Sequence, residues 1–343
     1  MTAVVGVVGG RGDVGSHAVR ALRGRGCAVR IGGRSAPSGP NERVVDFRSE
    51  STVDEFCAGL DVLLNCAGPS REIGDVLAVA AHRAGADYVD VAGDEALHAL
   101  LDPAGPRVAV LSAGLRPGLS GLFPRAVAAE FDRVDALEVH FGLLDRFTEV
   151  AAADYLQGVA DGLTRPSAGW RGGARRTGEA RRTDVELPHF PGRATVLTQL
   201  STEDERLAAE LGLERGDWRT VLCGEHVPAV FDRVRGTDRA TAIADLRRAS
   251  LLDLAGRSRF VTMTVRADGE RGGAPESRTA VLHGAGNAEL SGEVAAAAVA
   301  AVLAGTVPAG RHYAADVLDA RAVVAELSAR VTWPADDDEE GVL

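Results

Sequence analysis

The sequence predicts an α/β fold in two parts: a parallel sheet wrapped by helices, then an α+β domain whose last helices pack back on the first part. Three observations carry this expectation. Over roughly the first hundred residues, short apolar runs alternate with amphipathic stretches, the rhythm of repeated strand–helix–strand units. The chain has 343 residues, enough for about two domains of ~150. Glycine is the compositional outlier: 41 of 343 residues is about 12% against ~7% in ordinary proteins, and many glycines cluster where backbone must turn or approach a ligand.

The elements follow in order. Ala3 to Val8 reads as the first strand and Gly15 to Arg25 as the first helix. Ala28 to Ile31 and Arg43 to Asp46 read as strands, Val53 to Ala58 as a short helix, and Val62 to Asn65 as the fourth strand. A helix over Ile73 to Ala84 then leads to strands at Tyr88 to Val91 and Val108 to Leu111. Six strands in this rhythm make a Rossmann-type sheet. Past Gly114 the pattern changes, and Leu137, Val139, Phe141 and Leu143 alternate onto one face of a half-buried strand, Leu137 to Leu144. Arg259 to Val265 and Arg278 to His283 flank a turn-rich segment, Asp268 to Glu276, as a long hairpin. Helices are expected over Glu289 to Leu303 and Val317 to Ala329, and Asp336 to Glu340 is a run of acids in a solvated tail. The expected domains are 1–117, 118–287, returning helices over 288–330, and a tail over 331–343.

Composition excludes several functions. The formal charge is −11, which repels phosphate backbones and anionic lipid, so neither nucleic acid nor membrane is expected as a partner. All 38 basic side chains are arginine, which rules out a Schiff-base lysine, a lysine general base and a P-loop lysine. The longest apolar run, Val294 to Leu303, is about half a bilayer span. The opening residues lack the basic region of a secretory signal. Cys27, Cys57, Cys66 and Cys223 show no metal-type spacing; no metal is expected, and reduced thiols fit a cytoplasmic location.

The chemistry begins at Gly9-Gly10-Arg11-Gly12-Asp13-Val14-Gly15, directly between a strand and a helix. Such a turn lets backbone approach a pyrophosphate, and the helix N-terminus adds unpaired N–H groups and a positive dipole. The second strand ends in Gly33-Arg34-Ser35, where an NAD site usually places an acid. Arg34 and Ser35 suit a 2′-phosphate, with Arg30 as an alternative, so NADP is expected over NAD. Asp46 is placed to contact the adenine side or to cap a turn.

Next come Asn65-Cys66-Ala67-Gly68-Pro69 and, further on, Asp87-Tyr88-Val89-Asp90-Val91-Ala92-Gly93-Asp94. Together with Gly114 to Ser120, these resemble the saccharopine dehydrogenase family, in which a strand ending NCAGP is followed by a helix and a YVD strand. The resemblance covers the first domain and is architectural beyond residue 130. It implies that Cys66, Ala67, Gly68 and Pro69 line the nicotinamide half of NADPH, with Ala92, Gly93 and Asp94 across the cleft. Ser70 and Asp94 depart from the family's aromatic and Glu. Cys66 belongs to the motif and has no His partner, so it is read as a lining residue rather than a nucleophile.

The family's chemistry implies hydride transfer to a C=N bond, which then needs a proton; the candidates are Asp145, Tyr155, His140 and His226. Trp170 to Arg182 carries Arg171, Arg175, Arg176, Arg181 and Arg182 among glycines, either a solvated loop or a lid or docking strip for an anionic partner. The expected function is an NADPH-dependent imine reductase. The leading substrate is a thiazoline held on a carrier protein in siderophore or other nonribosomal peptide assembly. The alternatives are an opine- or saccharopine-type amino acid dehydrogenase, a trans-acting enoyl reductase, or a non-catalytic NADP-binding sensor. A homodimer through the second domain's sheet is expected.

Overall fold

The computed structural model describes residues 2–234 and 236–334. The chain divides into two compact units, one of residues 1–122 with 288–327 and the other of 123–287 with 328–343. In the first unit β1 (Val4–Val8) leads to α1 (Asp13–Gly24), β2 (Ala28–Gly33), β3 (Glu42–Val44), α2 (Glu50–Cys57) and β4 (Val62–Asn65). On α1, Gly15, Ala18, Val19 and Leu22 recur at helical spacing and form its buried face. All four residues of β4 are buried, as expected of a parallel strand covered on both sides. The helix expected over Ile73 to Ala84 is two pieces, α3 (Ser70–Ile73) and α4 (Val76–Arg83), because Gly74 between them takes a φ of +56°. Then come β5 (Asp87–Asp90), α5 (Glu95–Leu100), β6 (Val108–Leu111) and α6 (Leu119–Ala128).

The second unit opens with β7 (Arg133–Leu144) and α7 (Glu149–Ala160). Six further strands follow: β8 (Thr164–Pro166), β9 (Ala168–Arg171), β10 (Ala174–Thr177), β11 (Arg182–Glu186), β12 (Arg193–Ser201) and β13 (Arg215–Leu222). Between the last two lies α8 (Thr202–Glu210), started by a capping box of Ser201 and Asp204. Next are α9 (His226–Arg233), α10 (Arg239–Leu254), β14 (Phe260–Arg271) and β15 (Ala274–Gly284). The segment expected as a long turn is mostly strand, since only Gly272 and Gly273, at φ +60° and +80°, make the reversal. The ten-stranded sheet is mixed: β7 runs parallel to β13 and antiparallel to β14.

The chain then forms α11 (Asn287–Leu303), β16 (Gly310–Tyr313), α12 (Ala314–Val317), α13 (Ala320–Glu326) and β17 (Arg330–Thr332). On α11, Gly292 lies so close to α1 that a Cβ would sit 2.6 Å from the Ala18 nitrogen. The first unit's sheet therefore has seven parallel strands rather than six, in the order β16-β6-β5-β4-β1-β2-β3. The helix expected over Val317 to Ala329 is interrupted at Leu318, and β17 pairs with β15 although residues 331 and 332 were expected in the tail. The acidic run Asp336 to Glu340 lies outside the described residues.

Candidate functional site

In the first unit the strand order reverses around β1, with β2 on one side and β4 on the other. Such a switch point opens a crevice at the carboxyl ends of the strands. The glycine turn sits there. Gly9 takes a φ of +76° and donates its N–H to the Gly32 carbonyl at 2.9 Å; Gly12 donates to the Gly9 carbonyl at 2.8 Å. A Cβ on Gly15 would lie 2.2 Å from the Gly9 oxygen, and one on Gly9 would lie 2.8 Å from the Ala67 nitrogen. The turn is thus folded flat against the 65–69 loop, a geometry only glycine permits. No side chain caps the N-terminus of α1, whose first turn holds Asp13 and Val14.

Arg34 and Ser35 follow β2 and are exposed. Arg34 has no hydrogen-bond or ion-pair partner among the described residues. The alternative, Arg30, is occupied elsewhere: it donates to the carbonyls of Phe56 at 2.6 Å and Ala58 at 2.8 Å, at the C-terminal end of α2. Arg11, inside the turn, pairs with Glu42. Asp46 acts locally, its carboxylate accepting from the Arg48 nitrogen at 3.0 Å, so it is a turn cap as placed here.

Cys66, Ala67, Gly68 and Pro69 leave β4 through a cis Gly68–Pro69 bond. The Cys66 nitrogen bonds to the Val8 carbonyl at 2.9 Å, which ties this loop to the end of β1. Burial, with the Asp90 charge beside it, pushes the Cys66 thiol well up from its ordinary range, so it is no thiolate nucleophile. Ala92, Gly93 and Asp94 leave β5. Asp94 caps α5, accepting from Ala96 at 2.9 Å and Leu97 at 3.2 Å. That role suits the shorter aspartate better than the family's Glu.

Sequence reasoning missed the group that holds these loops together. Asp90 is 2% exposed and accepts four hydrogen bonds: from Asn65 Nδ2 at 3.0 Å, the Tyr88 hydroxyl at 2.5 Å, and the Ala92 and Gly93 nitrogens at 2.9 Å each. Asn65 Oδ1 in turn accepts from the Ala67 nitrogen at 3.0 Å. Burial and the neighbouring carboxylate hold the Tyr88 phenol protonated, raising it well above its ordinary value. The signal was available in principle, since Asn65 and Asp90 are register partners at the ends of adjacent parallel strands.

The four proton-donor candidates all lie in the second unit, and the structure does not gather them. His140 sits in mid-β7, where Arg219 on β13 and Thr264 on β14 are its cross-strand neighbours. Burial first, then the Arg219 and Arg182 charges, lower its pKa to about 4, so it is neutral at pH 7 and has no proton to give as an acid. Its side chain is 13% exposed. Asp145 ends β7 and accepts from the Arg146 and Asn287 nitrogens at 2.8 and 3.0 Å. Tyr155 on α7 packs between Phe147 and Phe231, and His226 opens α9, its own N–H held by Asp253 at 2.9 Å. Tyr155 on α7 and His226 on α9 thus belong to the helices packed around α10, apart from the sheet that carries the other two.

The arginine strip is not a solvated loop. Arg171 ends β9 and binds Asp217 at 2.8 Å; Arg175 on β10 pairs with Glu205 at 3.0 Å; Arg181 pairs with Asp232. Arg176 and Arg182, on β10 and β11, remain exposed. Among the described residues no helix is long and apolar enough to cross a membrane, and no cluster of potential metal ligands occurs.

Comparison with known proteins gives the same outline. The NAD dependent epimerase/dehydratase family matches residues 5–114. No curated protein matches the chain. Among solved structures, apo saccharopine dehydrogenase (L-Glu forming) from Saccharomyces cerevisiae superposes with a TM-score of 0.65 at 14% identity, over 97% of this chain and 100% of the other. An engineered D-amino acid dehydrogenase bound to NADP+ gives 0.51 at 16% identity, over 100% of both chains. The chain has a saccharopine dehydrogenase-like fold.

Proposed function

We propose that the protein is an NADP(H)-dependent oxidoreductase acting on a carbon–nitrogen double bond. The observation that carries the cofactor choice is Arg34, exposed and without a partner among the described residues just after β2, where a dinucleotide's ribose lies in this fold and an NAD site would present an acid. The glycine cradle supports a pyrophosphate, because a Cβ at Gly9 or Gly15 would fill it and the start of α1 is left without a side-chain cap. When bound, the nicotinamide supplies the hydride. The chain's own part is to hold the two loops that face it: Asp90 fixes the 91–94 loop through two backbone N–H groups, and Asn65 fixes the Ala67 nitrogen. This is pre-organisation by buried, satisfied polar groups.

For the substrate, the likeness to saccharopine dehydrogenase favours an imine formed from a free amino acid. A carrier-held thiazoline would need a docking surface such as the arginine strip, and three of those five arginines are engaged in ion pairs. Affinities for the two cofactors test the reading. NADPH should bind at least about tenfold more tightly than NADH, and Arg34→Ala should remove that preference, as expected for a charge-assisted contact of roughly 1.5–3 kcal/mol. Equal affinity of the unmodified protein for NADH and NADPH sinks the assignment. Tight NADPH binding without oxidation by any imine would instead identify a sensor.

A further inference from the structure

The second unit holds a cavity of about 400 Å³, a volume within the range of small-molecule sites. It lies where β7 ends and β14 begins, beside the end of β15. Its polar wall is His189, Arg257, Ser258, Arg259 and His283, and no Asp or Glu lines it. On a chain of formal charge −11 this is a local reversal of sign, and such a reversal focuses anions.

The wall is built rather than incidental. His189 holds a φ of +69°, a conformation that costs a non-glycine residue free energy, and it brings its ring to 6.4 Å, edge-on, from that of His283. His283 is fixed from the other side, its Nδ1 3.1 Å from the Thr262 hydroxyl. Arg257 is anchored by the Cys223 carbonyl at 2.6 Å. Arg259 is exposed: the carboxylate it faces, Asp145, is 4.0 Å away and already accepts two backbone N–H groups. The groups facing His283 are all cationic or neutral, namely His189, Arg330 on β17, and Thr262. Burial, His189 and Arg330 together lower the pKa of His283, and a bound anion would offset the last two.

We propose that this cavity binds the carboxylate of a small organic acid. The remaining lining decides between carboxylate and inorganic phosphate: Leu144, Pro191 and Phe260 give the cavity an apolar side, which a hydrocarbon chain can cover and a bare phosphate cannot. The site would select substrates or products bearing a carboxylate on a short aliphatic stem. Choosing glutarate as the probe rests on the amino-acid-imine reading above; the existence of the site does not.

Titration of the full chain with glutarate, followed by calorimetry and by the histidine C2–H resonances, tests this. Saturable binding is expected with Kd near ~1 mM, a weak-fragment affinity. Arg259→Gln and His283→Asn should each weaken it about fivefold or more, with the melting temperature unchanged and the neutral isostere glutaramide failing to bind. Inorganic phosphate should bind about tenfold more weakly than glutarate, because it gains nothing from the apolar wall. No saturation at ~10 mM glutarate, unchanged affinity in both variants, or phosphate binding as tightly as glutarate each overturns the proposal. Glutarate binding in a protein that ignores NADPH would leave the cavity assigned and overturn the oxidoreductase reading alone.

Discussion

The switch-point crevice of the first unit and the polar face of the second unit's sheet solve the same problem in opposite ways. Both bury ionisable groups. In the crevice, Asp90 is satisfied by four donors, two of them backbone N–H groups within three residues of it. In the sheet, Arg219 is 6% exposed and depends on carboxylates far away in sequence, Glu138 at 2.5 Å and Glu179 at 3.2 Å. His140 beside it has Thr264 Oγ1 at 3.5 Å from Nδ1. A charge held by nearby backbone is fixed by local conformation, whereas one held across strands depends on register, and a slip of one residue would turn it to the other face.

The largest effect should follow from breaking the crevice's hub. Asp90→Ala leaves Asn65, Tyr88 and two backbone N–H groups without their buried acceptor, a cost of at least about 4 kcal/mol at ~1–3 kcal/mol per unsatisfied group. Denaturant titration should show this loss, and NADPH binding should weaken with it as the 91–94 loop loosens. A variant as stable as the parent would show that the four hydrogen bonds contribute nothing net.

The matching break in the second unit is by pH. The folded pKa of His140 is lowered to about 4 from 6.5, so folding favours its neutral form. The unfolded chain takes up the proton first as pH falls; stability present above pH 6.5 is therefore lost progressively down to about pH 4, by about 3 kcal/mol at 1.36 kcal/mol per pH unit. His140→Asn should flatten this part of the profile. Unfolding free energies at pH 7 and pH 4.5 for parent and variant supply the check, and parallel profiles would mean that His140 is protonated in the fold.

The contrast also explains what could be read in advance. The glycine turn, the strand Val62–Asn65 and the strand Val108–Leu111 are encoded by consecutive residues, and their places follow from local pattern. The α3–α4 break at Gly74 did not follow, because a single glycine is tolerated in a helical pattern. The strands β8 to β13 were not legible: β9 and β10 are four residues each and arginine-rich, and they are strands because they pair across a Gly172-Gly173 turn and onto β13. The seventh strand of the first sheet, Gly310–Tyr313, is likewise short and polar and depends on β6 for its existence. At the site, the cradle was visible and Asp90 was not, since its importance appears only once Asn65 is its register partner.

A third substitution sharpens the comparison within the first unit. Gly15→Ala would place its Cβ 2.2 Å from the Gly9 oxygen and 2.8 Å from the Gly10 Cα, both backbone atoms that cannot step aside. Gly24→Ala, at the far end of α1 and with no atom within 4 Å of the new Cβ, serves as the control. NADPH affinity should fall about 30-fold in the first, near 2 kcal/mol, and stay within about twofold in the second. Equal responses would mean that the turn is not the pyrophosphate cradle.

The smallest effect is expected where the second unit's charges reach solvent. Arg175 and Glu205 form an ion pair with side chains 44% and 27% exposed, a class worth at most about 1 kcal/mol. Changing Arg175 and Arg176 together to glutamine should therefore leave stability within about that margin. The same double variant measures whether the strip has a partner. With Arg175 occupied by Glu205, reduction of a carrier-bound thiazoline should be no more sensitive to the substitution, or to salt, than reduction of a free amino-acid imine. A selective slowing of the carrier-bound reaction by the substitution, largest at low ionic strength and reproduced in the parent by added salt, would show that the arginines exchange Glu205 for an acidic carrier. The second unit would then recognise a macromolecule through charges set by register, in contrast to the proposed dinucleotide cradle of the first, which is built from backbone.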